Sequence, residues 1–360
     1  MQPVPNSPIR LDRRHPVARR MIATWRGLLT QHGGDSAGEP TLIACSGGAD
    51  SVALAIALAS TGVPVTLAFA KHDARSPSEV EADLSVVRRV AESIGAEWVA
   101  LDCPSSTDQS PTEESMRLSR YAALAAEARQ RSIRFVATGH HADDQLETVL
   151  LALIRGGGLS GMAGMAPSRP LDADSPTVLL LRPMLGVTRA DAERLCLDSG
   201  LSQPGSGGPS WAVDCTNTDA AYLRNRVRHE VVPMLESLNP GMAGRVSVNA
   251  EWFRQASSLI RSQAIELDRG ARESASGGAI RWSRPPLSTV EPVVLGDLIR
   301  WSVETRLGRQ GLDRLTGETL RAITEAIRDR STDPRRFEPG AGLVIEVTAH
   351  SVTLTQKNPA

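Results

Sequence analysis

Ser46-Gly47-Gly48-Ala49-Asp50-Ser51 is a string suited to holding a polyphosphate. Two adjacent glycines let the backbone turn tightly and approach a phosphate with no Cβ in the way. Where such a string joins a strand to a helix, the free N–H groups of the first turn converge and the helix dipole favours an anion. Ser46 and Ser51 add hydroxyl donors, and Asp50 can hold Mg²⁺ that bridges phosphates. The string is neither G-x-x-x-x-G-K-[ST], the loop that serves release of a γ-phosphate, nor G-x-G-x-x-G. A plain strand-to-helix turn accounts for Gly-Gly but leaves the rest of the string unexplained.

A second cluster, Thr138-Gly139-His140-His141-Ala142-Asp143-Asp144-Gln145-Leu146-Glu147-Thr148, begins where a strand hands over to a helix. Asp144 and Glu147 lie three apart and share a helix face, where together they can hold a cationic substrate. The competing reading is an ordinary solvated acidic first turn, which the helix dipole also favours. A third cluster is basic, Tyr222-Leu223-Arg224-Asn225-Arg226-Val227-Arg228-His229. Its spacing puts Arg224 and Arg228 on one helix face, able to brace phosphates bidentately, and Arg226 on another. Arg117 and Arg120, just before Tyr121, form a smaller pair.

The elements that must position these residues alternate. Thr41–Cys45, Val65–Ala70, Trp98–Leu101 and Ile133–Thr138 read as strands. Asp50–Ser60, Ser78–Ile94, Glu113–Gln130 and Ala142–Ile154 read as the helices that follow them. Four strand–helix units in this order predict a doubly wound parallel sheet, with ligands at the carboxyl ends of its strands. Thr188–Ser199, Asp219–Leu235 and Met242–Arg269 are further expected helices. The tail ends in alternating strands, Leu343–Val347 and Val352–Leu354, of a small α/β domain. Gly156–Asp174 and Leu201–Pro209 are rich in turn residues and read as lids, binding loops or plain linkers.

A chain of 360 residues is long enough for two domains. The expected division is an N-terminal extension over 1–22, a catalytic domain over 23–238, a helical linker over 239–279 and a small C-terminal domain over 280–360. No run of about 18 apolar residues appears and no secretory leader, so a cytoplasmic protein without a membrane partner is expected. The four cysteines are scattered without a C-x-x-C pair, which argues against zinc, iron–sulfur or disulfide chemistry. A net charge of −1 means that any nucleic acid must be met by a local basic patch.

The six-residue loop resembles that of the PP-loop, or N-type ATP pyrophosphatase, superfamily (adenine nucleotide alpha hydrolase-like). Its members adenylate a substrate oxygen and release pyrophosphate. Taken with Glu113–Tyr121, Thr138–Gly161, Leu181-Arg182-Pro183 and Trp211–Asn217 running into Tyr222–Arg228, the chain resembles the tRNA(Ile)-lysidine synthase family over about residues 40–240. That resemblance implies adenylation of C2–O of the wobble cytidine of tRNA(Ile) with a CAU anticodon, then attack by the ε-amine of free L-lysine, giving lysidine, AMP and pyrophosphate. It implies Ser46, Gly47, Gly48, Asp50, Ser51 and Gly139 around ATP, with Mg²⁺ on Asp50. Asp144 and Glu147 would hold lysine, Asp50, Asp144, Arg117 and Arg224 would act in catalysis, and residues 280–360 would bind tRNA. A homodimer is one expected assembly. The sequence departs from the family where His-x-x-His-Gly-Leu-Arg is usual: here it reads Phe69-Ala70-Lys71-His72-Asp73-Ala74-Arg75. The alternative within the superfamily is a 2-thiolating tRNA enzyme, for which Cys45 beside the loop lacks a cysteine partner.

Overall fold

The computed structural model describes residues 9–35, 37–72, 76–103, 113–172, 177–206, 208, 210–212, 223–275, 278–307, 315–340 and 342–356. The chain divides into two units, one of Met1–Leu151 with Gly164–Ala250 and one of Ala152–Ala163 with Glu251–Ala360.

The first unit opens with α1 (Pro16–Gln31), followed by β1 (Thr41–Ala44), α2 (Ala49–Ala59), β2 (Val65–His72), α3 (Pro77–Ile94), β3 (Glu97–Cys103), α4 (Glu113–Gln130), β4 (Phe135–Thr138) and α5 (Ala142–Ile154). The short α6 (Gly158–Met162) belongs to the second unit. Then come β5 (Ser168–Pro170), β6 (Leu179–Leu181), α7 (Arg189–Asp198), α8 (Leu223–Arg226), a π-helical turn over Val227–Val231, α9 (Val232–Leu238) and the long α10 (Met242–Ala271). The sheet order is β3-β2-β1-β4-β6-β5, parallel except for β5. The expected doubly wound α/β fold is therefore present.

Both faces of this sheet are covered, which is why its strands are apolar runs rather than alternations. On β1, Ile43 enters one core with Phe69, Phe135 and Val87, while Leu42 enters the other with Tyr121, Leu124 and Val136. Helix α2 is apolar on all sides, and Val52–Ala57 are all at most 1% exposed. A helix of that kind has to lie inside the protein. Helix α1 went unread in the sequence, because Pro16 and the arginines around it mask Val17, Met21, Trp25 and Leu28–Leu29. Their spacing builds a buried stripe, capped at its start by the His15 ring. Phe69, the departure from the family string, is 4% exposed and part of this core.

The helix expected over Asp219–Leu235 is interrupted. Pro233 has no N–H to donate and its ring clashes with the carbonyl four residues back, and the preceding turn, Val227–Val231, is widened into a π-helix. The stretch Gly156–Asp174 carries α6 and the edge strand β5 where it is described.

The second unit builds an antiparallel sheet, β7 (Arg272–Glu273), β8 (Ile280–Ser283), β9 (Arg335–Gly340), β10 (Leu343–Val347) and β11 (Ser351–Gln356), in the order β7-β8-β11-β10-β9. Helices α11 (Arg284–Ser288), α12 (Pro292–Leu307) and α13 (Gly317–Arg328) complete it. Trp282 is fully buried, and its indole N–H donates to Asp268 Oδ1 at 2.8 Å. Arg284 is 5% exposed and donates to the carbonyls of Ala326 and Ile327, which fixes a cation at the C-terminus of α13.

Candidate functional site

Strand order reverses between β1 and β4, which pair directly with Ala44 opposite Thr138. The crevice at such a switch point, at the carboxyl ends of the strands, is where α/β sheets take ligands. The loop that leaves β1 and the cluster that leaves β4 both open there.

Gly47 adopts φ +85°, and a Cβ on it would stand 3.2 Å from the carbonyl of Asp83, so glycine is required twice over. Gly48 caps α2 in extended conformation. The serine hydroxyls are held on the loop itself: Ser51 Oγ donates to the carbonyl of Gly48 at 3.0 Å and stands 3.4 Å from Ser46 Oγ. The backbone N–H of Ala212 donates to the carbonyl of Gly47 at 2.8 Å, so part of the Trp211–Asn217 string pairs with the loop. Gly139 lies where a Cβ would come within 3.1 Å of the Asp50 carbonyl carbon and the Ser51 nitrogen. A side chain there would have to push the loop back by a few tenths of an ångström.

Asp50 sits in the first turn of α2. Its Oδ2 is 3.5 Å from His141 Nε2, while Oδ1 is buried with no hydrogen-bond partner among the described residues. A buried carboxylate oxygen left unpaired costs free energy unless something else satisfies it, and a cation does so. Among the described residues no group of three or more His, Cys, Asp and Glu could enclose a metal alone. A cation on Asp50 would draw its remaining ligands from phosphates and water.

His141 is the hub. Its Nε2 stands 3.5 Å from both Asp50 Oδ2 and Asp144 Oδ2, and its Nδ1 3.4 Å from Asp143 Oδ2. Burial opposes its charge, but the carboxylates of Asp143, Asp50 and Asp144 outweigh it and push the imidazole up to about 10. His140, one residue earlier, goes the other way. Burial, then the positive charges of Arg182 and Arg224, bring it down to about 4 despite Asp144, and its Nδ1 lies 2.8 Å from Thr138 Oγ1. At neutral pH one ring is charged and its neighbour is not.

Asp144 and Glu147 do face the same way along α5, and both are buried, at 9% and 2% exposure. The backbone N–H of His141 donates to Asp144 Oδ2 at 3.0 Å. Arg228 Nη2 donates to Asp144 Oδ1 at 3.2 Å and to Glu147 Oε2 at 3.0 Å, and Arg228 Nε to Glu147 Oε1 at 2.6 Å. Arg224 Nε reaches Glu147 Oε2 at 3.2 Å. Arg226 turns outward to Glu230. The acidic pair is thus lined by the arginines of the third cluster. Gln145 clasps Met165 through both its amide atoms, tethering the residues after Gly164 beside α5.

Arg117 is placed on α4, 2.9 Å from Glu114 and over the ring of Tyr121, which Arg169 covers at 4.8 Å. The structure brings Asp50, Gly139, Asp144, Glu147 and Arg224 into one connected group through His141 and Arg228. Arg117 is seen on its own helix, with Glu114 and Tyr121. Arg228, read from its spacing as a phosphate brace beside Arg224, grips Asp144 and Glu147 instead, while His141 and Arg182 are given no role by the sequence alone. The buried Arg182 follows β6 and donates to the carbonyl of Ala166 at 2.6 Å, and only its neighbours Leu181 and Pro183 hinted at a fixed position. Asp73–Arg75 and Val213–Tyr222, Cys215 among them, lie outside the described residues.

The PP-loop domain family matches residues 25–235. The chain is similar to the tRNA(Ile)-lysidine synthase of Salinispora arenicola, 36% identical over 351 residues that cover 96% of this chain and 98% of the relative. It is 33% identical to the synthase of Parasynechococcus marenigrum, covering 80% of this chain and 81% of that one. A Geobacter sulfurreducens synthase is 34% identical over 71% of this chain, which spans 53% of that relative's length.

Proposed function

This chain belongs to the tRNA(Ile)-lysidine synthase family of PP-loop enzymes, and we propose that it adenylates C2–O of the wobble cytidine of a tRNA(Ile) with a CAU anticodon and joins the ε-amine of lysine to that carbon. The observation that supports this most is the position of His141, whose Nε2 stands 3.5 Å from both Asp50 and Asp144. The phosphate loop and the acidic pair are two halves of one site.

Cytosine C2–O is a poor leaving group, and attaching AMP makes it a good one. The loop N–H groups and the two serines bind the triphosphate so that pyrophosphate leaves, and Arg224 stabilises charge that develops near the reacting phosphate. Asp50 would hold Mg²⁺, which neutralises phosphate charge when bound. Asp144 and Glu147 orient the ammonium end of lysine, and a carboxylate takes the proton that the amine must lose to attack. Arg117 serves as a further phosphate contact. Residues 280–360 bind the tRNA stem as a separate domain beyond the helical linker over 239–279, and the protein works in the cytoplasm.

The thiolating alternative is weakened at Cys45. The thiol is 2% exposed, and burial pushes its pKa up against its bond to Ser51, the opposite of what a reactive thiol needs. The test is nucleoside analysis of tRNA(Ile) incubated with protein, ATP, Mg²⁺ and lysine. A lysine-containing cytidine with AMP and pyrophosphate is expected. ATP returned as ADP, or untouched, overturns the reading.

A further inference from the structure

We propose that Arg13, just before α1, and Arg19 and Arg26 on it form a second anion site that takes the phosphodiester backbone of an RNA. The proposal rests on the RNA substrate put forward above, and it places an RNA contact on an element that neither the sequence reading nor the catalytic geometry uses.

A cavity of about 260 Å³ is lined by Arg13, Arg19, Ile22, Ala23, Arg26 and Thr61. All three arginines are exposed. Their side chains make no ion pair among the described residues, while His15 and Arg20 nearby do. Arg20 is 2.6 Å from Asp191, and His15 and Arg194 share Asp198. Cations held near one another repel, and the first turn of α1 contains no acidic residue to offset them. The N-terminal end of a helix carries about half a positive charge, which adds to that of Arg13 and Arg19, while Arg26 lies further along α1.

The spacing selects the kind of anion. Arg19 and Arg26 are seven residues apart on one helix face, which is about 10 Å along the axis at 1.5 Å per residue. Charges spread along a helix face in this way match a polyanion better than a single phosphate. A nucleic-acid strand places a charge roughly every 3.4 Å of helix axis and can meet all three arginines together. Thr61 follows the C-terminal end of α2, whose N-terminal end is the phosphate loop. The patch is therefore about 16 Å from the loop along α2, a separation that a folded RNA covers and a nucleotide does not. With a net charge of −1 on the whole chain, attraction of a polyanion has to come from local patches of this sort.

The experiment compares the full-length protein with R13A/R19A/R26A and with the charge-keeping R13K/R19K/R26K, using a tRNA(Ile) transcript over a salt series. Thermal melts check that all three are folded, as these side chains are at the surface. Loss of three phosphate contacts should lower the slope of log K against log salt by roughly 2 to 3 and weaken binding by about tenfold or more at low salt. The lysine triple should retain most of the wild-type slope. An unchanged slope and affinity in the alanine triple overturns the proposal. So does a result in which the triple loses inorganic phosphate, titrated alone, yet binds RNA like wild type, because the site would then take a free anion. Failure of the proposed reaction is separable: RNA binding that falls in the triple, with no lysidine formed by wild type, sinks the catalytic reading and leaves this one standing.

Discussion

Arg228 grips Glu147 with two nitrogens, Nε on Oε1 at 2.6 Å and Nη2 on Oε2 at 3.0 Å, and the Glu147 side chain is only 3% exposed. Burial works against the guanidinium, but Glu147 and then Asp144 more than offset it and hold its pKa above the usual value. The carboxylates proposed to receive lysine are thus already satisfied by the chain's own cation. An incoming ammonium has to share Asp144 with Arg228 or displace it, and the α-carboxylate of lysine would find that same arginine nearby.

Breaking this pair should cost more than breaking a surface one. Removing one partner of a buried ion pair costs about 3–5 kcal/mol, because the other charge stays buried. Arg224 still reaches Glu147 at 3.2 Å, so Arg228→Ala should fall at or below about 3 kcal/mol. Arg226→Ala, which breaks an exposed pair with Glu230, should cost clearly less. Urea unfolding of the two variants checks the contrast, and equal losses would contradict it.

Asp50 should show the opposite balance. Its Oδ1 is buried with no partner among the described residues, so the folded state gains little from that atom. Asp50→Ala is expected to stay within about 1 kcal/mol of wild-type stability while AMP formation drops by roughly a hundredfold or more. Pyrophosphate release and a thermal melt, run together, test this. A large loss of stability with activity retained would show a structural aspartate instead.

The two histidines set opposite limits on pH. His140 is held near 4 in the fold against an ordinary value of 6.5, so the unfolded chain binds the extra proton between those values. Its contribution is complete above 6.5 and disappears as pH falls toward 4, by about 3 kcal/mol at full development. His141 is raised to about 10, so its contribution is complete below 6.5 and is lost as pH rises through 10. Stability from this pair should peak near pH 6.5. Urea unfolding of wild type and His140→Asn from pH 4 to 8 should show a shallower acid limb in the variant, and parallel curves would refute the assignment.

Much of the fold was legible because long, strongly patterned segments carry it. Helix α4 keeps the expected bounds of Glu113 and Gln130, and α5 those of Ala142 and Ile154. Strand β6, at three residues, is too short to show any period, and Pro16 with its arginines hid α1. At the site, the helical spacing of Asp144 and Glu147 could be read locally. That Arg224 and Arg228 turn onto Glu147 could not be, since those contacts join positions 77 and 81 residues apart across a π-helical turn. The charge on His141 is equally non-local, because it depends on Asp50 from another strand–helix unit.

The two carboxylates on α5 should separate in their effects. Asp144 is the more accessible, with 13% of its side chain exposed against 3% for Glu147, and it shares Arg228 rather than facing two arginines. Its Oδ2 also lies beside His141. Asp144→Asn keeps the shape and the acceptor for the His141 N–H, and it removes the charge that would attract an ammonium. Losing one charge-assisted hydrogen bond is worth about 1.5–3 kcal/mol, or roughly ten- to a hundredfold in the lysine KM. AMP formation in the absence of lysine should remain within a few-fold of wild type, because the phosphate loop is untouched. Glu147→Gln strands Arg224 and Arg228 as well, so it should lower stability along with lysine use. Steady-state kinetics in lysine, paired with a lysine-free assay for AMP, separates the cases. An unchanged lysine KM in Asp144→Asn would move the ammonium site elsewhere in the crevice.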